Sequence, residues 1–221
     1  MLGPVARRTG RKLLQFDRKL GARFVAGTDE AGRGPLAGPL LVAGVLLDYS
    51  KLHDHKVRPL ACLNDSKKCS ESEREELYRA VLGCAERVIV RAVLSSQIDR
   101  VGLHRSNLAA MREILSELSS QADVCLVDGF HLGAGAPAHR RVVDGDEKSA
   151  AIAAASIIAK VTRDRLMRRL DAVYPSYKFS SNVGYITPDH SRRVLAYGPS
   201  PIHRRSWRAR CYAELGRAES A

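Results

Sequence analysis

The apolar residues of the chain form short continuous runs that alternate with longer segments of helical spacing. The short runs are rich in aliphatic residues and are bounded by glycine, proline or charged residues, which is typical of strands. The predicted strands cover residues 24–30, 40–48, 86–96, 124–127 and 140–143. The predicted helices cover residues 70–84, 104–120, 148–170 and 189–196. This alternation predicts an α/β layer fold.

The helical pattern is strongest at residues 148–170. The first half of this segment is apolar on nearly every side, whereas the second half is basic and amphipathic. A helix that is apolar all round lies inside a core. We therefore expect this helix to cross the core and to emerge at its basic end, with a loop at residues 174–188 after it.

The chain is long enough for one sizeable core. With 221 residues, of which 45% are hydrophobic, a single globular unit with modest extensions is the expected organisation. The predicted fold class is α/β, with a central mixed sheet of about five strands flanked by helices on both faces.

The formal net charge is +12, and the basic residues concentrate at the two ends of the chain. Residues 1–23 hold seven basic side chains against one acidic, and residues 199–221 hold five against two. We predict a basic N-terminal arm (1–23), a main domain (24–198) and a basic C-terminal segment (199–221) that lies over the substrate groove. Basic ends without large apolar faces favour nucleic acid over a membrane as partner. Solubilising tails are the alternative.

No part of the sequence is expected to enter a membrane. The longest apolar stretch, residues 150–155, extends only to residue 159 when Ser156 is allowed, which is far shorter than the ~20 residues that a transmembrane helix needs. The N-terminal residues are basic and lack the apolar run of a secretory signal, so we expect a cytoplasmic protein with reduced cysteines. His53 and His55 look like a metal pair, but they lie in a charged loop and are expected to be exposed.

Four acidic side chains follow predicted strands, namely Asp29, Glu30, Asp128 and Asp146. The carboxyl ends of strands in an open α/β sheet are where ligands bind, so these acids can converge. Clustered carboxylates repel one another unless a cation lies between them, and oxygen ligands alone favour Mg²⁺ or Mn²⁺. With a polyanionic partner, they predict two-metal phosphodiester chemistry. Taken singly, each acid is also typical of a solvated turn or a helix cap.

Asp29 and Glu30 present a geometrical difficulty. Neighbouring residues on a regular strand point to opposite faces, so both can serve one site only if the strand ends or bends there. The following segment, AGRGP at residues 31–35, predicts such an ending. Its glycines on either side of Arg33 let backbone amides approach a ligand, although a tight turn explains them as well.

Six sequence blocks resemble those of bacterial ribonuclease HII, in the same order and at compatible spacings. The blocks are DEAGRGPLAGP (29–39), NDSKK (64–68), LVDG (126–129), GDEKSAAIAAASIIAKVTRDRLM (145–167), GYITPDH (184–190) and IHRRSW (202–207). The resemblance extends from Val25 to about Arg208. It implies a ribonuclease H-like catalytic domain at residues 24–198. The implied activity is hydrolysis of the RNA strand of RNA/DNA hybrids, including a single ribonucleotide in duplex DNA.

The resemblance also implies the site residues. By motif position, the metal-binding and catalytic carboxylates are Asp29, Glu30, Asp128 and Asp146, with Asp144 as a competitor for the last role. The implied cofactors are two divalent ions, Mg²⁺ or Mn²⁺. The implied readers of the ribose 2′-hydroxyl are Gly32, Arg33, Gly34 and Tyr185. A phenol suits that role, because it hydrogen-bonds the hydroxyl while its ring packs on the sugar. A core tyrosine is the alternative for Tyr185.

Other polar residues are expected to touch the nucleic-acid backbone. These substrate-binding candidates are Asn64, Ser66, Lys67 and Lys148. A capped turn leading into the helix at residue 70 is the alternative for the first three. On the long helix, Lys160, Arg163 and Arg165 match basic positions of the family, and we expect phosphate contact for one or two and solvation for the rest. His203 is expected to anchor the C-terminal block.

The chain departs from the family pattern at two places. Asn182 and Val183 stand where many members have His-Lys, so a cationic phosphate contact is missing there. Asp144 stands where lysine is common, which adds negative charge beside the metal site.

The predicted reaction is endonucleolytic cleavage on the 5′ side of a ribonucleotide paired with DNA, leaving 3′-hydroxyl and 5′-phosphate ends. The expected partners are RNA/DNA hybrids and ribonucleotide-containing duplex DNA. We expect a monomer, and we leave a sliding-clamp partner open. A different nuclease on the same fold would not need 2′-hydroxyl readers, and a non-catalytic binder would not need four acids.

Overall fold

The protein is described by a computed structural model that covers residues 6–52, 60–63, 66–67 and 69–218. The predictions for His53, His55 and Asn64 lie outside these residues. The strands are β1 (Phe24–Ala31), β2 (Leu40–Asp48), β3 (Arg87–Val93), β4 (Val124–Asp128) and β5 (Arg140–Val142). The described helices are α1 (Ala6–Arg18), α2 (Glu71–Cys84), α3 (Ser95–Val101), α4 (Leu103–Leu118), α5 (Ala150–Val173), α6 (Phe179–Asn182), α7 (Pro188–Tyr197) and α8 (Arg210–Ala218).

The five strands form one mixed sheet in the order β3-β2-β1-β4-β5. β1 pairs antiparallel with β2, and β2 pairs antiparallel with β3. β4 pairs in parallel with both β1 and β5. The predicted mixed α/β sheet of about five strands is therefore confirmed.

Helices cover both faces of the sheet. The face that carries Val25, Val45 and Leu126 packs against α5, with α1 and α2 beside it. The opposite face, which carries Ala26, Val42 and Val127, packs against α4. Because side chains alternate along a strand, β1 sends successive residues to the two cores in turn.

Two helices begin with clear local signals. Ser70 caps α2, and its hydroxyl accepts from the Glu73 N–H while the Glu73 carboxylate accepts from the Ser70 N–H, which forms a capping box. The predicted long helix is α5, whose buried first half crosses the core as expected. It begins at Ala150, so Lys148 precedes it instead of lying on it.

Several elements differ from the sequence predictions. The third strand ends at Val93, and α3 follows from Ser95, where the sequence pattern predicted continued strand. The predicted loop at residues 174–188 contains a 3₁₀ turn and the short helix α6. A further 3₁₀ turn spans Gly145–Glu147, and α8 lies in the C-terminal segment.

The N-terminal segment packs onto the core instead of projecting as an arm. Leu13 and Leu14 on α1 are fully buried against the core that α5 shares. Asp17 is also buried, and its carboxylate accepts from the Ala151 N–H at 2.9 Å and from the Tyr49 hydroxyl at 2.7 Å. A carboxylate at the start of α5 interacts favourably with the helix dipole. The boundaries at residues 23 and 198 stay a prediction.

The C-terminal segment joins a third small core. Ala209 and Cys211 pack with Leu36, Met167 and Phe179, and with α7. His203 forms a β-bridge with Ala37, and the Gly38 N–H donates to the Ile202 carbonyl at 2.8 Å. This segment therefore lies against the loop between β1 and β2. Among the described residues, no helix is both long and apolar enough to cross a membrane.

The approach of α5 to the sheet depends on Gly27 in β1. A Cβ at this position would lie 2.3 Å from the backbone carbonyl carbon of Ala151. Gly27→Ala is expected to destabilise the protein by about 3 kcal/mol, because neither backbone can move without disturbing the core. Gly83→Ala on α2 is the control, since nothing lies within 4 Å of its Cβ position and alanine favours a helix. Chemical denaturation of both variants measures the difference, and equal stabilities would contradict the close approach.

Candidate active site

A cavity opens at the sheet edge where β1 and β4 stop pairing. Their parallel register ends at Thr28 and Val127. β1 continues to Ala31 beside β2, whereas β4 ends at Asp128. The carboxyl ends of the two strands therefore separate and leave a space between them.

Asp29 and Glu30 reach this space from opposite faces of β1. The strand ends at Ala31, the first residue of the AGRGP segment that predicted its ending, so both acids lie in its last three residues and pair with β2. The Asp29 carboxylate faces α5, where the Ser156 hydroxyl hydrogen-bonds it, and it accepts the Glu30 N–H at 2.7 Å. The Glu30 carboxylate accepts from Arg33 at 3.2 Å. Both acids nevertheless line the same cavity.

Asp128 and Asp146 complete the set. Asp128 is the last residue of β4, and its Oδ1 accepts from the Gly145 N–H at 2.7 Å. That bond ties the end of β4 to the 3₁₀ turn that carries Asp146. Asp144, the competitor, precedes the turn in a left-handed conformation with φ of 50°.

The cavity has a volume of about 310 Å³ and collects most of the predicted site. Its lining comprises Asp29, Glu30, Ala31, Gly32, Arg33, Gly34, Ser66, Lys67, Asp128, Asp144, Asp146, Ser156 and Tyr185. The predicted residue Lys148 does not line it; its Nζ donates to the Val143 carbonyl at 2.7 Å. Ser66 is buried, with its Oγ 3.0 Å from the Oγ of Ser156, so it supports the wall of the cavity.

The carboxylates of the cavity repel one another. Burial raises the pKa of Asp29 well above its usual range, and the charges of Glu30 and Asp128 raise it further. Burial also raises the pKa of Glu30, against the opposing effects of Asn107 and Arg33. The pKa of Asp128 is raised by burial as well, although the Gly145 N–H and Lys67 oppose the shift. A cation in this cavity would relieve that repulsion.

The donor set fits a hard divalent cation. All four acids supply oxygen, and among the described residues no donor makes a hydrogen bond of ordinary geometry to the buried Oε2 of Glu30. Within the described part of the chain, no three histidine, cysteine, aspartate or glutamate side chains are arranged to hold a metal ion by themselves. An open set of this kind suits Mg²⁺, which proteins hold through few carboxylates together with phosphate oxygens of a substrate.

The glycine-rich loop after β1 is held by Arg204. This arginine is fully buried, and its guanidinium donates to the carbonyls of Gly38 at 3.0 Å, Arg33 at 3.1 Å and Gly32 at 2.6 Å. Burial lowers the pKa of Arg204. The C-terminal segment thus fixes the peptide planes of the loop that the resemblance assigns to the ribose.

Tyr185 stands across from this loop. The residue is 40% exposed, and a Cβ added to Gly34 would lie 3.9 Å from its Cε1. The Gly184 carbonyl accepts from the N–H groups of Leu36 and Ala37 at 2.8 Å and 3.1 Å. Gly184 has φ of 85°, and a Cβ there would meet the Ala37 carbonyl oxygen at 2.2 Å. A partly exposed ring on the cavity wall is not the core tyrosine that was the alternative.

Arg163 lies in the interior and not at the surface, where the sequence predicted it would lie. It was expected to contact phosphate or solvent, but it is fully buried and donates to the carbonyls of Pro39, Ala37 and Val183 at 3.0, 3.0 and 2.9 Å. It therefore joins the β1–β2 loop to the turn that carries Tyr185. Arg165 pairs with Glu75 and lies over the Tyr78 ring.

Lys160 and the two residues that depart from the family pattern, Asn182 and Val183, lie close to Tyr185. Lys160 pairs with Asp164 at 2.8 Å, and its Nζ is 5.7 Å from the Tyr185 ring centroid. At the first departure from the family pattern, Asn182 donates to the Tyr177 carbonyl and accepts from the Gly184 N–H, both at 2.8 Å. Asn182 therefore shapes the turn before Tyr185. Val183 takes a left-handed conformation with φ of 42°, which is strained for a β-branched residue.

Sequence reasoning missed three supporting residues. Ser156 touches Asp29, Arg204 holds the glycine-rich loop, and Asn107 on α4 faces Glu30 and lowers its pKa. Asn107 is fully buried, and among the described residues neither of its amide atoms has a partner of ordinary hydrogen-bond geometry. The sequence signal that could have found Asn107 and Ser156 is that each is a polar residue on the apolar face of a predicted helix.

The sequence model of the family Ribonuclease HII matches residues 26–210. The ribonuclease HII of Nocardia farcinica is 46% identical over 184 residues, which cover 83% of this chain and 71% of that protein.

Solved structures share the fold. The ribonuclease H2 of Pyrococcus horikoshii superimposes with a TM-score of 0.69 at 28% identity, covering 88% of this chain and 98% of that one. The ribonuclease HII of Archaeoglobus fulgidus, solved in a complex with PCNA, gives a TM-score of 0.66 at 30% identity over 85% of this chain and 96% of that one. The chain therefore belongs to the ribonuclease HII family and is a hydrolase of the ribonuclease H class, acting on the RNA of RNA/DNA hybrids.

Proposed function

We propose that this enzyme cleaves on the 5′ side of a ribonucleotide paired with DNA, both in long hybrids and at single ribonucleotides embedded in duplex DNA. The products are 3′-hydroxyl and 5′-phosphate ends. One observation carries the proposal. The glycine-rich loop and Tyr185 line the same cavity as the four carboxylates, so a ribose can be read beside the bond that is cut.

The carboxylates Asp29, Glu30, Asp128 and Asp146 are the proposed ligands of two divalent ions, Mg²⁺ or Mn²⁺. When bound, such ions supply an activated water and stabilise the departing 3′-oxygen. The protein contributes positioning. Ser156 and the Glu30 N–H orient Asp29, the Gly145 N–H orients Asp128, and Arg33 orients Glu30.

Selection of RNA is proposed to come from the glycine-rich loop and Tyr185 and not from base edges. Gly32, Arg33 and Gly34 line the cavity together with Tyr185, whose Cε1 would lie 3.9 Å from a Cβ at Gly34. A 2′-hydroxyl is the group that distinguishes RNA from DNA at one position. We therefore expect little sequence preference.

Lys67 is the proposed phosphate contact within the cavity. It lines the cavity, is exposed, and its charge lowers the pKa of Asp128. The proposals for Asn64 and Lys148 as backbone contacts rest on the family resemblance alone. A sliding clamp is a partner to test, because the Archaeoglobus relative was solved with PCNA.

Cleavage of labelled duplexes tests the proposed function. The substrates are one duplex with a single ribonucleotide, one RNA/DNA hybrid and one all-DNA duplex, each with and without Mg²⁺ or Mn²⁺. We expect metal-dependent nicks in the first two and none in the third. Equal cleavage of all-DNA duplex would indicate a nuclease without ribose selection, and binding without any nick would indicate a non-catalytic binder.

Variants of Tyr185 test the recognition role. Tyr185→Phe is expected to lower kcat/KM on the single-ribonucleotide duplex about 5- to 30-fold, since it loses one hydroxyl contact worth about 1 to 2 kcal/mol. Tyr185→Ala is expected to cost more, because the ring that packs on the sugar is also lost. Affinity for the all-DNA duplex should change little, since phosphate contacts dominate it. Tyr197→Phe and Tyr197→Ala are controls at a tyrosine that is 62% exposed and outside the cavity.

A further inference from the structure

Two histidines outside the cavity form a buried pair. His190 lies on α7 and His203 lies in the C-terminal segment, and they are 0% and 2% exposed. Their Nε2 atoms are 3.0 Å apart. The rings of Tyr177 and Phe179 pack around them. The pair does not line the cavity, so neither histidine touches substrate.

Backbone groups at both ends fix the direction of hydrogen bonding through the pair. The Ser200 N–H can only donate, and it lies 3.0 Å from Nδ1 of His203, so that nitrogen accepts, from the Ser200 hydroxyl at 2.7 Å as well. The proton of a neutral His203 is therefore on Nε2, where it is donated to Nε2 of His190. His190 then carries its proton on Nδ1, 2.8 Å from the Tyr185 carbonyl, which can only accept. The two ends require the same pair of tautomers. We call this series of hydrogen bonds, from the Ser200 N–H through His203 and His190 to the Tyr185 carbonyl, the histidine chain.

Burial keeps the histidine chain neutral. It lowers the pKa of His190, and with the neighbouring imidazole it lowers the pKa of His203 to about 3. A proton added to His190 would go to Nε2 and place two N–H donors face to face at the central bond, whereas a proton added to His203 would go to Nδ1 and face the Ser200 N–H. The histidine chain is therefore intact at neutral pH.

The histidine chain ends on the two parts that face the ribose. At one end the His190 ring holds the carbonyl of Tyr185, and the backbone N–H of His190 donates to the Oγ1 of Thr187, which caps α7. At the other end, His203 bridges to Ala37 and precedes Arg204, whose guanidinium holds the glycine-rich loop. The histidine chain thus connects the backbone of Tyr185 to the C-terminal segment, which fixes the glycine-rich loop opposite Tyr185.

We propose that His190 and His203 are positioning residues for ribose recognition, in that their directed hydrogen bonds set the place of Tyr185 relative to the glycine-rich loop. The proposal rests on the proposed function, because it requires Tyr185 to read the 2′-hydroxyl. Loss of the chain should therefore lower the preference for ribonucleotides without removing the carboxylates or general duplex binding.

An asparagine at either histidine breaks the bond between the two rings but keeps the bond at its own end of the histidine chain. His203→Asn retains an acceptor near the Nδ1 position for the Ser200 N–H but cannot donate to His190. His190→Asn retains a donor near the Nδ1 position for the Tyr185 carbonyl. We expect His203→Asn to lower kcat/KM on the single-ribonucleotide duplex about tenfold, and His190→Asn to lower it less. His131→Asn, at an exposed histidine, is the matched control.

A double-mutant cycle with Tyr185→Ala tests whether the chain acts through Tyr185. We expect the effect of His203→Asn to vanish in the Tyr185→Ala background, because the Tyr185 side chain is no longer there to be placed. The same loss in both backgrounds would overturn the positioning role and leave only a structural one. Unchanged cleavage by Tyr185→Ala alone would overturn the ribose-reading role of Tyr185, and the role of the pair with it.

Nuclear magnetic resonance of the wild-type protein with ¹⁵N-labelled histidine gives a readout that is independent of activity and of variant folding. We expect His203 to be protonated on Nε2 and His190 on Nδ1, with a scalar coupling between the two Nε2 nitrogens. The opposite tautomers, or a charged ring at neutral pH, would overturn the histidine chain even if the asparagine variants failed to fold.

Discussion

Asp128→Asn is expected to lower the rate of cleavage on the order of a thousandfold, the scale on which loss of a key electrostatic group slows an enzyme. The change removes the charge of a proposed metal ligand but almost no volume. The asparagine oxygen can still accept from the Gly145 N–H, which holds the end of β4. Single-turnover cleavage of the single-ribonucleotide duplex at saturating Mg²⁺ or Mn²⁺ measures the loss.

The same substitution is expected to leave the protein equally or more stable without divalent ions. Burial raises the pKa of Asp128, and the Asp128 charge also raises the pKa of Asp29. Removing that charge relieves repulsion inside the cavity, as is common where activity demands an unfavourable arrangement. Thermal unfolding in chelator measures this effect. Loss of both activity and fold would indicate that Asp128 is a structural residue.

Asp144→Asn is the matched control for the carboxylate assignment. Asparagine tolerates the left-handed conformation of Asp144, so the turn should remain intact. We expect this variant to retain most activity and Asp146→Asn to lose it. The reverse result would transfer the ligand role to Asp144.

Arg204→Met is expected to destabilise the protein by about 3 to 5 kcal/mol, because it leaves the carbonyls of Gly38, Arg33 and Gly32 without their donor in a buried site. The glycine-rich loop should then lose its fixed peptide planes, so preference for the ribonucleotide should fall as well. Denaturant unfolding measures the first effect, and the ratio of cleavage on single-ribonucleotide and all-DNA duplexes measures the second.

Arg205→Met is the control for Arg204, since its exposed side chain follows the buried one directly. Arg204→Lys keeps the charge but cannot present three N–H groups in a plane, so its stability should lie between those of Arg204→Met and Arg205→Met. An Arg204→Met protein as stable as Arg205→Met would show that the loop carbonyls find other donors, and the loop would then not depend on the C-terminal segment.

The strands and the long helix could be predicted because their signals are local. An apolar run such as residues 40–48 or a continuous apolar helix such as the first half of α5 has one energetically reasonable arrangement. α1 could not be recognised in this way. Its charged residues outnumber the apolar ones, and only the packing of Leu13 and Leu14 on α5 shows which face is buried.

The carboxylates could be predicted from their positions after strands and from the family motifs. The buried arginines could not, because an arginine is interior only when distant carbonyls meet it. Arg163 binds carbonyls more than 120 residues away, and Arg204 binds carbonyls more than 160 residues away. A one-dimensional pattern predicts solvent or phosphate for such residues, and only the tertiary fold shows the alternative.

The distance in sequence between the acids and Arg204 has a consequence for protein synthesis. All four carboxylates lie at or before residue 146, whereas the groups that fix the glycine-rich loop and Tyr185 include residues 203 and 204. A chain that leaves the ribosome from its N-terminus exposes all four acids before these groups emerge. The proposed ribose reader thus gains its support from residues translated after all four acids, and a chain cut short before residue 203 would carry the acids without that support.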